Sequence, residues 1–147
     1  DLLVEGLTEM GYANIFVEWG GELRAYGHHP SGRPWMVAIR DAVSVDGENA
    51  KSLIQFPLED SAIATSGNYL QQWRCEGRCY THIINPLTGI PLEVTDQTPT
   101  SVTVLAQSCA EADAYATACM LFPSRNAATE WANAVTLRNP TLVFWIY

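Results

Sequence analysis

The chain has 147 residues, 48% of them apolar, with 16 acidic against 8 basic side chains and a formal net charge of −8. A chain of this size forms one ordinary domain and builds its core without staples. The acidic balance and the lack of any Lys or Arg cluster argue against nucleic-acid binding, and no apolar run approaches the roughly 20 residues that span a bilayer.

Leu2 to Met10 reads as a helix ended by Gly11. The chain opens directly on it, with neither initiator Met nor signal peptide, so a mature fragment or an excised domain is expected. Asn14 to Trp19 and Glu22 to Tyr26 read as strands broken by Gly20-Gly21, and His28 to Pro34 as a loop. Trp35 to Arg40 is the next strand and Asp41 to Asn49 a polar connection. Strands follow around Leu53 to Leu58 and Ala62 to Thr65, with a turn at Gly67-Asn68. Tyr69 to Trp73 and Arg78 to Ile84 form a hairpin around Gly77. Asn85 to Pro91 is a rigid turn and Val94 to Thr100 a polar linker. Ser101 to Ala106 is the clearest strand and feeds a helix starting near Cys109. A helix from Arg125 to Val135 and a strand from Thr141 to Tyr147 close the chain. This order predicts an α+β domain: a mostly antiparallel or mixed sheet with two or three helices packed on it.

The helix after Ala106 carries the strongest chemical signal. Ser108 and Glu111 have the spacing of a capping box, and Asp113 and Thr117, four residues apart, share one face. A carboxylate beside a hydroxyl among small Ala residues suits Mg²⁺ that also holds substrate phosphates. An acidic protein handling phosphates needs such local positive charge. The plain alternative is a solvent-facing Asp and Thr. Elsewhere, Thr65-Ser66-Gly67 ends a strand in hydroxyls, with Gly67 permitting a backbone that offers N–H groups to an anion. His82 stands just before a Pro-stiffened turn, as a structural residue or a general base. Gly20-Gly21 allows a close approach by a ligand, or marks a bulge. His28-His29 offers imidazoles to a transition metal, though an exposed dipeptide of this kind more often binds nothing. The cysteines make no zinc pattern. Cys75 and Cys79 flank a hairpin turn and are either bridged or reduced, the second being favoured, while Cys109 and Cys119 pack as small hydrophobes.

Five segments in one order carry a family resemblance: Gly20 to Gly27, Pro34 to Ile39, Ile63 to Tyr69, Tyr80 to Pro91, and Ser101 to Ala106 followed by Ala112 to Thr117. Together they resemble the FAD:protein FMN transferases, the ApbE-type flavin transferases, over nearly the whole chain. The resemblance implies Mg²⁺-dependent cleavage of the FAD pyrophosphate, attachment of FMN to a threonine hydroxyl of an acceptor protein, and release of AMP. By position, Asp113 and Thr117 match the metal ligands. His82 matches the histidine of the His-Ile-Ile-Asp-Pro signature, a candidate for positioning or deprotonating the acceptor. Gly20, Gly21, Thr65, Ser66, Gly67 and Ile84, with His82, match segments lining the flavin nucleotide pocket. The signature aspartate is replaced by Asn85. Members are roughly twice as long, so residues 1–147 are expected to be the C-terminal part of the transferase. The acceptor would be a protein such as a membrane redox-complex subunit, met in the periplasm or at the outer face of the bacterial inner membrane. Two readings share the site: a flavin-holding fragment without chemistry, and an FAD pyrophosphatase giving FMN and AMP. A serine hydrolase using Ser66, His82 and Asp113 ranks last, because no nucleophile-elbow pattern surrounds Ser66.

Overall fold

The structure, a computed structural model, describes residues 1–41, 52–69 and 71–147. Most of the expected connection at 41–49, and position 70 within the expected strand 69–73, lie outside these residues. Helix α1 (Leu2–Glu9) ends where Gly11 takes a φ of 93°. Strands β1 (Ile15–Trp19) and β2 (Glu22–Tyr26) form a hairpin whose two-residue turn is Gly20-Gly21. With φ of 67° and 108°, both glycines occupy backbone space that side chains rarely enter, so this is a tight turn rather than a bulge.

Strands β3 (Trp35–Arg40) and β4 (Ser52–Leu58) form a second antiparallel hairpin. Strand β5 (Ala62–Gly67) then joins β2, and β9 (Ser101–Ala106) and β10 (Val143–Ile146) complete an antiparallel sheet of order β1-β2-β5-β9-β10. Helices α2 (Cys109–Met120) and α3 (Arg125–Thr136) cover one face of this sheet. The other face is covered by the β3–β4 hairpin.

Strand alternation sorts side chains between the two cores. Ala64, Val102, Val104 and Ala106 face the helices and pack on Ala112, Ala116 and Met120. Leu23, Ala25, Ile63 and Leu105 face the hairpin and meet Val37, Leu58 and Trp145. Small Ala side chains at 112 and 116 let α2 lie close against β5 and β9. Strands β6 (Gln72–Cys75), β7 (Arg78–Ile84) and β8 (Pro91–Glu93) form a separate antiparallel sheet, anchored where Ile83 and Leu92 join the helix-side core.

The expected α+β architecture is thus present, with three helices and every paired strand antiparallel among the described residues. Two local expectations change. Strand β8 begins at Pro91, the last residue of the segment read as a turn, where Ile84 pairs with Pro91 across Asn85 to Ile90. Gly67 does not turn the chain: it stays in β5, opposite Ser101, and its role is space. A Cβ there would stand 2.5 Å from Cε1 of Tyr69, so the aromatic ring requires glycine beneath it.

Candidate functional site

The first turn of α2 is held from two directions. Ser108 caps it, its hydroxyl accepting from the Glu111 N–H at 3.2 Å. The reciprocal half of the expected capping box is replaced by Asp1, whose carboxylate accepts from the N–H groups of Cys109 and Ala110 at 2.8 and 3.0 Å. A carboxylate at a helix N-terminus also meets the positive end of the helix dipole. Glu111 is thereby released to accept from Asn139 Nδ2 at 2.9 Å. These contacts fix α2, and α2 fixes Asp113 and Thr117.

Both side chains are exposed and lie one turn apart. The Thr117 hydroxyl meets Ser66 Oγ at 2.8 Å, joining the helix to the end of β5. Asp113 lines an open cavity of about 760 Å³ between α1, the β1–β2 hairpin and the start of α2. Its walls mix apolar Leu2, Leu3, Val17 and Trp19 with polar Glu22, Arg24 and Asp113, Val17 opposing Arg24 and Trp19 opposing Glu22 across the hairpin.

The donors gathered here are hard oxygens: one carboxylate and two hydroxyls. Among the described residues, no three His, Cys, Asp or Glu side chains converge, so neither a zinc-type nor an all-carboxylate centre is built. The set fits Mg²⁺, which is held through one or two carboxylates together with substrate phosphates and water. His29 is instead bonded through Nδ1 to Ser31 Oγ at 2.9 Å and set edge-on against Trp35.

The remaining sequence-predicted residues fall in two other places. Thr65 alternates with Ser66 and so faces the opposite side of the sheet, where it lines a cleft of about 130 Å³ with Gly21 and Tyr69. Its hydroxyl is 2.8 Å from that of Thr103, which is fully buried. The Gly20-Gly21 turn and the end of β5 nonetheless share one end of the sheet. His82 and Ile84 lie on the exposed face of β7, opposite the inward Thr81 and Ile83. His82 Nδ1 is 3.3 Å from Thr81 Oγ1. The hydrogen-bonding partner of Ser66 is therefore Thr117 and not an imidazole, and the Ser66, His82, Asp113 hydrolase arrangement is not assembled.

All four cysteines are free. Register explains this for Cys75 and Cys79: Cys75 opposes Arg78 and Cys79 opposes Arg74, so their side chains leave opposite faces of the hairpin. Cys119 is buried as expected. Cys109 is only partly buried, its thiol 3.6 Å from the Leu23 carbonyl.

Sequence reasoning missed Asp1, Trp19 and Arg24 as neighbours of Asp113. Alternation along β2 holds a signal for Arg24: with Leu23 and Ala25 in the hairpin-side core, Glu22 and Arg24 must face α2.

An oxygen-donor pair beside a cavity lined by both apolar and polar side chains has the makings of a small-molecule site. The chain belongs to the ApbE family, whose pattern matches residues 1–139. It is 46% identical over 119 residues to the FAD:protein FMN transferase of Chlamydia pneumoniae, a match covering 81% of this chain and 35% of that protein. With the FAD:protein FMN transferase of Vibrio cholerae it is 39% identical over 136 residues, covering 92% of this chain and 39% of the relative. The fold superposes on the flavinyl transferase ApbE of Pseudomonas stutzeri, apo form, with a TM-score of 0.74 at 29% identity, across 99% of this chain and 41% of that one. The chain therefore spans well under half the length of the relatives it matches.

Proposed function

We propose that this chain carries the metal-holding part of an enzyme that moves FMN from FAD to a threonine hydroxyl of an acceptor protein, releasing AMP in a Mg²⁺-dependent reaction. The observation that carries the reading is Asp113 on the wall of the amphipathic cavity, one helical turn from the Thr117–Ser66 hydroxyl pair. The names of the relatives support the flavin chemistry.

In this reaction the acceptor hydroxyl oxygen forms a bond to the FMN phosphorus. The bond from that phosphorus to the bridging oxygen breaks, AMP leaves with the electron pair, and the hydroxyl proton passes to a base. Such a transfer needs charge neutralisation and in-line positioning more than covalent help. Asp113 and Thr117 would hold Mg²⁺, which would neutralise pyrophosphate charge. Ser66 holds the Thr117 hydroxyl in place from the neighbouring strand. His82 is the candidate base: its Nδ1 lies against Thr81 Oγ1, and its ring stands on a face open to a protein substrate.

The test is an assay of the protein in its longest natural form with FAD, Mg²⁺ and a threonine-containing acceptor, following AMP by chromatography and covalent flavin by in-gel fluorescence. Asp113→Ala is expected to lower AMP release by about 100- to 1,000-fold, to the rate seen with a chelator. An unchanged rate rejects the metal assignment. AMP and free FMN without labelled acceptor would establish hydrolysis instead, and binding without AMP a flavin-holding role.

A further inference from the structure

The cavity beside Asp113 contains a cation with one unanswered donor. Arg24 Nη1 is buried and has no hydrogen-bond partner among the described residues. Arg24 lines the cavity with three carboxylates, yet it pairs with none of them. Asp1 is committed to the first N–H groups of α2. Glu22 and Asp113 make no ion pair with it among the described residues. A buried donor without an acceptor is destabilising, more so when it is charged, and proteins rarely keep one without a use. A donor nitrogen that makes no bond in its resting position also loses none by turning toward an incoming acceptor. The guanidinium's planar fork of donors matches two oxygens of a phosphate.

The rest of the cavity indicates what kind of molecule brings that acceptor. Trp19 is 78% exposed and Leu2 83% exposed on the cavity lining, an apolar surface suited to a flat ring. Arg24 and Asp113 line the same cavity, so one bound molecule can present phosphate oxygens to a cation and to a metal-holding carboxylate.

We infer that Arg24 is the phosphate-holding residue of this cavity, taking oxygens of the dinucleotide's pyrophosphate next to Asp113. The identity of the anion rests on the flavin-dinucleotide reading above; the existence of an anion site does not.

The experiment is calorimetric titration of the protein in its longest natural form with ADP, inorganic pyrophosphate and riboflavin, each with and without Mg²⁺. ADP and pyrophosphate are expected to bind, and Arg24→Gln to weaken both by roughly 10- to 100-fold, with riboflavin, which has no phosphate, unaffected. Arg24→Lys should recover part of the loss, since charge returns without the fork. The melting temperature of Arg24→Gln should be equal to or above that of the parent, because an unpartnered cation has been removed. A lower melting temperature with unchanged ADP affinity would make Arg24 a structural residue and overturn the inference, as would a parent protein that binds neither phosphate probe. The two readings fail separately. AMP release that depends on Asp113 with ADP binding indifferent to Arg24 sinks only this one, whereas Arg24-dependent ADP binding without AMP release sinks only the transferase.

Discussion

Apart from Thr81, which β7 buries, the three-stranded sheet leaves its polar side chains outward while the five-stranded sheet ties them in. On the five-stranded sheet, Ser101 and Thr103 are buried, Thr65 is tied to Thr103, and Ser66 is tied across to α2. On the three-stranded sheet, β6 is exposed along its whole length and His82 faces outward. The first arrangement fixes oxygens to within the tolerance that a small, rigid cation needs. The second leaves an imidazole on a surface that a second protein can reach. On the proposed reading, metal holding would fall to the edge of the packed layer and proton acceptance to the open one.

Substitution on each side tests that division. His82→Gln should lower flavin transfer by about 10²- to 10⁴-fold, the usual contribution of a general base. Because His82 is exposed, its unfolding midpoint in urea should stay at the parental value; a fall in stability large enough to explain the lost activity would place the residue in the fold instead. Leu142→Ala should do the reverse. Leu142 is fully buried against the helix-side core, and truncation there costs about 2–5 kcal/mol by equilibrium unfolding. Enzyme that remains folded should turn over at the parental rate. A fall in kcat with parental stability would show that core packing tunes the site directly.

Much of this was legible in the sequence because period and punctuation agreed. Alternating apolar residues mark β9, Ser108 marks the start of α2, and the four-residue spacing of Asp113 and Thr117 needs only helix geometry. The Ser66–Thr117 contact was not legible, since it joins residues 51 apart through the pairing of β5 with β9 and the packing of α2 on both. The second cap of α2 comes from 108 residues away, and no local pattern records that. Gly67 misled for a related reason: its sequence neighbours suggest a turn, while the constraint is the ring of Tyr69 lying over the strand. Arg24 was hidden by a dependence on context, because alternation tells which residues share a face only after one face has been assigned to a core.

The smallest effect is one absent at neutral pH, and it compares a cysteine from each sheet region. Cys75 is exposed on the hairpin arm and should react promptly with an aromatic disulfide reagent. Cys119 is fully buried against the Ala128 carbonyl, and desolvation pushes its thiol up to about 12 from an ordinary 9.0. In the unfolded chain that thiol ionises near its ordinary value, while in the fold it stays protonated. Above pH 9 the unfolded state therefore releases a proton that the folded state retains, and the stabilising contribution, complete below pH 9, is lost as pH rises toward about 12. Unfolding midpoints measured from pH 8 to pH 11 should fall less steeply in Cys119→Ala than in the parent, the two slopes converging below about pH 8. Equal slopes throughout would show that the thiol ionises as readily inside the core as outside it, and that the packed layer is less sealed than its geometry implies.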